Sequence, residues 1–252
     1  MTEPVNDRAS LHVAGAASSR VKLAIMQPYL FPYIGYFQLL ASVDEFVVYD
    51  NIQYTKKGWI NRNRFLQNGE DVMFSLPLAK ASDYLDVRER EIADAYNPAA
   101  LLARFAGAYG KAPFYARTRP LLEDVLGNPE RNLFAFLHDA LLRTAAHLGL
   151  ETVIRVSSTV AIDHVLTGQD KVLALCEARG ATTYINPIGG VELYSREDFA
   201  ARGIELHFLQ PLPLEYVQFG RPFVPSLSII DVLMFNGLDT VRAWLDSHYA
   251  LT

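Results

Sequence analysis

Ile25-Met-Gln-Pro-Tyr-Leu-Phe-Pro-Tyr-Ile-Gly-Tyr-Phe-Gln-Leu-Leu-Ala-Ser-Val-Asp-Glu-Phe-Val-Val-Tyr-Asp50 reads as strand, proline- and aromatic-rich loop, helix and second strand with no slack between them. Val21 to Met26 is an apolar run suited to a buried strand, and Pro28 and Pro32 keep it from continuing, so the loop begins at Gln27. Gly35 opens a segment in which Tyr36, Phe37, Leu39, Leu40 and Val43 share a helical face, and Phe46 to Tyr49 returns as an apolar run. A βαβ unit has this order, and its ligand crevice lies beyond the carboxyl ends of the strands.

The rest of the chain extends that pattern. Phe65 to Asn68, Gly69 and Val72 to Leu78 suggest a hairpin, and Ala79 to Asp94 reads as a charged surface segment. From 98 to 150 the period becomes helical, with Leu101, Leu102, Phe105 and Tyr109, then Leu121, Leu122 and Val125, then Leu133, Phe134, Leu137, Leu141 and Leu142 as successive apolar faces. Strands follow at Thr152–Ser157, Thr182–Asn186 and Glu205–Leu209, with a helix over Lys171–Ala178 ended by Gly180. Pro225-Ser-Leu-Ser228 leads into a late helix with a buried face, and Val241–Leu245 forms a last one. The expectation is an α/β, Rossmann-like, mostly parallel sheet in one domain over 21–252, with a helical insert near 98–150 and a disordered extension over 1–20.

Composition narrows the function classes. The 252 residues are 50% hydrophobic and 20% charged, a globular balance, and the formal net charge of -5 disfavours a general nucleic-acid binder. One cysteine permits no intramolecular disulfide and no cysteine-based zinc site, and the six histidines lack metal-ligand spacing, so no metal is expected. With no signal peptide and no long uncharged span, the reading is a cytoplasmic protein without membrane insertion.

Candidate site residues fall mainly near the first loop. Gln27, Tyr29, Tyr33, Gly35 and Tyr36 would line the crevice, against the alternative of a proline turn whose aromatics only pack. Lys56, Lys57, Trp59, Asn61, Arg62, Asn63 and Arg64 combine hydrogen-bond donors, positive charge and an indole in one segment. That set suits phosphate or carboxylate recognition and stacking on a sugar, or else a solvated basic hairpin. Lys56 and Arg62 are the leading anion binders. Asp50, at the carboxyl end of the second strand, could assist an incoming amine or pair with a lysine. Asn186 with Gly189 and Gly190 could border the crevice, and Ser226, Ser228 and Asp231 could meet a ligand or cap their helix. Cys176 sits on an apolar helix face, where a small buried hydrophobe is the stronger reading than a nucleophile. His138, His147, His164, His207 and His248 have no carboxylate or nucleophile at a telling spacing.

Met26-Gln-Pro-Tyr-Leu-Phe-Pro-Tyr-Ile-Gly-Tyr-Phe37, Trp59-Ile-Asn-Arg-Asn-Arg64, Cys176-Glu-Ala-Arg-Gly-Ala-Thr-Thr-Tyr-Ile-Asn186 and Ser228-Ile-Ile-Asp-Val-Leu-Met-Phe-Asn-Gly237 together resemble the WbqC-like family across nearly all of the chain after residue 20. Members are associated with O-antigen and other polysaccharide gene clusters, and some with secondary-metabolite clusters. The resemblance implies acyl or aminoacyl transfer to an amino sugar or similar metabolite. In a more distant resemblance, Pro32-Tyr-Ile-Gly-Tyr36 stands where nucleotidylyltransferase-like proteins carry a His-x-Gly-His motif. Tyrosines replace both histidines, which weakens nucleotidyl transfer, while the glycine is kept. Three readings follow. The first is a transferase making an amide or ester on an amino sugar from a carrier-protein thioester. No bound cofactor is then required beyond a phosphopantetheine arm or nucleotide on the substrates, and the partners are an acyl or peptidyl carrier protein and a small-molecule or nucleotide-sugar acceptor. The second is an ATP-dependent ligase or nucleotidyltransferase. The third is a non-catalytic binding protein of a glycan-assembly pathway.

Overall fold

The computed structural model describes residues 20–220 and 222–252, so the extension expected over 1–20 lies outside the described residues except for Arg20. Strand β1 (Lys22–Met26) buries Leu23, Ala24 and Ile25 and stops before Pro28. Helix α1 (Ile34–Ala41) buries every residue from Gly35 to Leu40, which marks it as a core helix. Strand β2 (Glu45–Val48) is wholly buried. The hairpin β3 (Arg62–Gln67) and β4 (Glu70–Ser75) turns through Asn68 and Gly69 at φ of 55° and 81°, the paired left-handed conformation that an Asn-Gly turn supplies. β3 starts at Arg62, three residues before the expected strand at Phe65. The run Asn51–Arg64, read as loop, therefore ends inside a strand.

Three helices then pass in succession: α2 (Pro98–Tyr109), capped by Asn97 with proline at its first position, α3 (Tyr115–Leu126), and α4 (Leu133–Leu148), capped by Asn132 and ended by Gly149 at φ 77°. β5 (Val153–Val156), α5 (Gly168–Ala178), β6 (Thr183–Pro187), α6 (Arg196–Ala201) and β7 (Glu205–Pro211) restore the alternation. α7 (Ile229–Phe235), α8 (Leu238–Ser247) and a three-residue β8 (Tyr249–Leu251) complete the chain. α6 and β8 escape sequence reading because each is too short for a period to show. The segment 79–94 is exposed over most of its length, as expected, but it also sends three side chains into the core. Although charged, it buries Val87 and Ile92 completely and exposes only 5% of Arg90, whose guanidinium donates to the Ser82 carbonyl at 2.9 Å and lies over the Tyr54 ring.

The sheet order is β5-β2-β1-β6-β7-β8, parallel throughout except for the antiparallel edge strand β8. This is the doubly wound, Rossmann-like arrangement. Side chains alternate across it: Leu23, Ile25 and Val47 face α5 and α6, whereas Ala24, Phe46 and Val48 face a larger core shared with α1, α4, α7 and the hairpin. Each fully buried leucine or phenylalanine there contributes about 1.5–3 kcal/mol of transfer free energy.

Strand order reverses between β1 and β6, and there the pairing is shortest. β1 and β6 match only at Lys22↔Thr183 and Leu23↔Tyr184, while β1 and β2 stay paired over four positions to Met26↔Val48. The carboxyl ends of β1 and β6 are thus not joined to each other. Open α/β sheets bind ligands at this switch point.

Candidate functional site

The loop leaving β1 is held in a strained shape. Phe31 has φ 44°, a conformation that a phenylalanine rarely adopts. Four hydrogen bonds from distant segments impose it. The Asn63 side-chain amide donates to the carbonyls of Leu30 at 3.1 Å and Phe31 at 2.5 Å, the Ser228 hydroxyl donates to the Phe31 carbonyl at 2.8 Å, and the Ile229 amide donates to the Pro32 carbonyl at 2.8 Å. Asn63 is 1% exposed and Ser228 fully buried, so both serve as clamps on the loop rather than as open ligand groups. Ser228 also caps α7 by accepting from the Ile230 amide.

The two tyrosines that replace the histidine pair diverge in role. Tyr36 is 3% exposed, and its hydroxyl donates to the Gln27 carbonyl at 3.1 Å, so it braces the loop from inside. Burial raises its pKa and that of Tyr29 far above the ordinary tyrosine range. Tyr33 is half-buried, and its ring folds over Gly35 so closely that a Cβ there would lie 2.5 Å from it. The Tyr33 hydroxyl has no partner among the described residues and stays available. Tyr29 lies edge-on to Tyr36 at 6.1 Å and beside Trp59 at 6.5 Å between centroids.

Trp59, 37% exposed, is the outer face of this wall, with the guanidinium carbons of Arg62 and Arg64 at 5.8 and 5.4 Å from its ring centroid. Arg62 is partly committed to its own loop, donating to the carbonyls of Gly58 at 2.8 Å and Lys57 at 2.5 Å. Arg64 pairs with Asp71 at 2.8 Å and reaches the Ser226 carbonyl at 3.4 Å, while its Nε is buried with no acceptor among the described residues. Asn61 is internal: it accepts from the Tyr54 hydroxyl at 2.9 Å and donates to the Leu76 carbonyl at 2.8 Å. Lys56 sits on the exposed side, paired with Asp83 at 2.9 Å. Beside Tyr33 opens a cavity of about 270 Å³, walled by the irregular segment after β7 and bordered by Ser226. Ser226 is exposed and left-handed, at φ 56°.

A second polar cluster occupies the ends of β2 and β5. Asp50, 4% exposed, accepts from the Ser157 hydroxyl at 2.8 Å and the Ser158 amide at 2.9 Å, and Arg88 stands 3.7 Å from its other oxygen. Burial works against its charge, but the hydrogen bonds from Ser158 and Ser157 prevail and hold the carboxyl below the ordinary aspartate range. Asp50 is therefore better suited to orienting a cation than to removing a proton. Beside it, Lys171 at the start of α5 is 7% exposed, donates to the Asn51 carbonyl at 3.2 Å and lies 5.5 Å over the Tyr49 ring. Burial lowers its pKa. His164 Nδ1 lies 2.9 Å from the Asn51 side-chain amide, and its Nε2 donates to the Val160 carbonyl at 3.0 Å.

Other expected site residues lie deeper. The Asp231 carboxylate is fully buried and accepts from Tyr109 at 2.8 Å, Tyr216 at 2.6 Å and Gln218 at 2.8 Å, which leaves it no open face for a ligand. Burial raises its pKa. Asn186, 5% exposed, accepts from the Tyr184 hydroxyl at 3.1 Å, and Gly190 crosses it so closely that a Cβ would meet its amide nitrogen at 1.9 Å. Cys176 is fully buried, and burial pushes its thiol to about 12, which removes it as a nucleophile. His138 is half-buried, stacked on Phe134, and its pKa is lowered by burial; the His248 ring donates to the Pro213 carbonyl at 2.8 Å. Among the described residues no group of three or more His, Cys, Asp or Glu could hold a metal ion, and no helix is long and apolar enough to cross a membrane.

The structure thus joins Tyr29, Tyr33, Trp59, Arg62 and Arg64 into one wall and keeps Asp50 on the neighbouring strand end, with Lys56 outside. Sequence reading missed Lys171, Arg88 and the Ser157–Ser158 pair. A lysine interrupting the apolar face formed with Val172 and Leu175 is the one local signal that could have found Lys171.

Comparison with known proteins agrees with this picture at the level of family. No solved structure matches the chain. An uncharacterized protein of Mycobacterium tuberculosis, Rv1507c, is 27% identical over 218 residues, covering 85% of this chain and 93% of the relative. The model of the WbqC-like protein family matches residues 27–243, from the first loop into α8, and the chain belongs to that family.

Proposed function

We propose that the protein is a transferase that forms an amide or ester on an amino sugar or related small metabolite, taking an acyl or aminoacyl group from a carrier thioester by direct attack. The observation that carries this reading is the switch point between β1 and β6, where strand pairing stops after Leu23↔Tyr184, with Tyr29, Tyr33, Trp59 and Arg64 along the loop that leaves β1. The aromatic surface suits a sugar face, and the Arg62 guanidinium suits the phosphate of a carrier arm or nucleotide-sugar. Asp50, held ionised by Ser157 and Ser158, would orient the incoming amine. Arg62 keeps N–H donors beyond those used by its own loop, and the exposed Lys56–Asp83 pair is weak enough to exchange for a ligand phosphate. With Cys176 buried, the acyl group would pass straight from sulfur to the acceptor. The crevice then contributes alignment and hydrogen bonds to the developing oxyanion.

Incubating the purified protein with a panel of amino sugars and acyl or aminoacyl carrier thioesters tests the reading by mass spectrometry. The expected result is a new amide or ester, formed without ATP and without a mass change on the protein. No product with any pair contradicts it. Release of pyrophosphate or AMP would favour a nucleotide-dependent ligase.

A further inference from the structure

We propose that the cavity beside Tyr33 is a site for a small apolar monocarboxylate or acyl group, its body among Leu214, Phe223, Leu227 and Val232 and its polar end toward Tyr33, Ser226 and Arg64. The inference rests on the transferase reading in one respect: it names the acyl moiety of the donor as apolar rather than charged.

The walls set the class of ligand. Ile34 at the start of α1, Pro211 at the end of β7, Leu212 to Leu214 after it, and Phe223, Pro225 and Leu227 give a space of about 270 Å³ a majority of apolar side chains, and the Tyr216 hydroxyl on that lining is already given to Asp231. A sugar would leave most of its hydroxyls without partners there. An apolar chain loses nothing and gains about fourfold in affinity for each methylene removed from water.

The polar side chains on the lining are Tyr33, Ser226 and Tyr216, of which only the last is committed to Asp231. Tyr33 lines the cavity with a hydroxyl that has no partner among the described residues. Ser226 lines it too and is held left-handed at φ 56°, a costly conformation for serine that recurs at ligand clamps. The Arg64 guanidinium stands 3.4 Å from the Ser226 carbonyl. Its Nη1 holds Asp71 at 2.8 Å in an exposed pair, and its Nε is buried without an acceptor. One cation already shared with an aspartate matches a single negative charge or a polarised carbonyl, and it undercompensates a doubly charged phosphate.

Calorimetric titration of the full chain with butyrate, pentanoate and hexanoate tests this, with hexylamine as the charge-reversed control. Affinity should rise about fourfold per methylene from butyrate to hexanoate, and hexylammonium should bind at least about tenfold more weakly than hexanoate. Leu214→Trp, which fills the cavity, should abolish hexanoate binding. Leu212→Trp at the exposed rim provides a second filling variant should the first unfold. Arg64→Gln should weaken hexanoate by about tenfold or more. The proposal is overturned if hexanoate gives neither heat nor a melting shift with the wild type, if a folded filling variant binds it unchanged, or if hexylammonium binds as well. The transfer assay separates the two readings: carboxylate binding without transfer refutes the transferase alone, and transfer without carboxylate binding refutes this site alone.

Discussion

The Tyr216 hydroxyl donates to Oδ2 of Asp231 across 2.6 Å, and Tyr109 reaches Oδ1 of the same buried carboxylate from α2 at 2.8 Å. Through these bonds one side chain at the start of α7 ties the irregular segment after β7, and with it a wall of the cavity, to the hairpin and α2. The Tyr109 hydroxyl in turn accepts from the Leu66 amide at 2.8 Å.

Truncating that carboxylate should be costly. Asp231→Ala leaves two hydroxyls and the Gln218 amide without their acceptor, and a loss of about 3 kcal/mol is expected from hydrogen bonds of this kind. Urea denaturation of the variant against wild type measures it. A change below about 0.5 kcal/mol would show that the network does not hold the fold.

Asp231 and Asp50 should respond to pH with opposite sign. Burial raises the Asp231 value on folding, so its contribution is full below the ordinary aspartate value near 3.9 and is lost as pH rises through the folded value. Hydrogen bonds outweigh burial at Asp50 and lower its folded value, so its contribution is present above 3.9, roughly, and is lost as pH falls through the folded value. The stability deficit of Asp50→Asn should therefore shrink on acidification from neutral pH, and that of Asp231→Asn should shrink as pH rises from acid to neutral. Denaturation midpoints measured across pH 3 to 7, roughly the span over which carboxylates titrate, decide both signs.

Gly35→Ala separates site from scaffold. Alanine favours a helix over glycine by about 1 kcal/mol, yet its Cβ would strike the Tyr33 ring at 2.5 Å. The variant should keep a melting temperature close to wild type while hexanoate affinity falls about tenfold or more as Tyr33 is displaced from the cavity edge. Unchanged affinity would show that the Tyr33 position is immaterial.

Cys176 should be chemically silent. Iodoacetamide should label it only after unfolding, and Cys176→Ala should retain full transfer activity, because the thiol is fully buried and its value is pushed to about 12. Labelling of the native chain with loss of activity would restore a covalent intermediate.

How far the sequence could be read depends on the range of the interaction. The β1–α1–β2 unit was legible because Pro28, Pro32 and Gly35 punctuate apolar runs within a few residues of one another. The Asn68-Gly69 turn was legible for the same reason, although the strand before it begins at Arg62. The clamp on Phe31 was not, since it joins residues 32 and 197 positions apart. Asn63 therefore looked like a loop donor when it is a clamp. Asp231 beside Ser228 looked like a ligand group at a helix start, and only its bond to Tyr109, 122 positions away, shows why it turns inward. Lys171 was hidden in an apolar helix face, because its neighbours Tyr49 and Asn51 lie on another strand end.

Diffraction from crystals soaked with an amino sugar and with a carrier-arm thioester analogue would locate the binding site of a transferase. Ligand density is expected between the carboxyl ends of β1 and β6, in contact with Tyr33, Trp59 and Arg64. Density confined to another face of the molecule, with that crevice empty at saturating ligand, would contradict that placement.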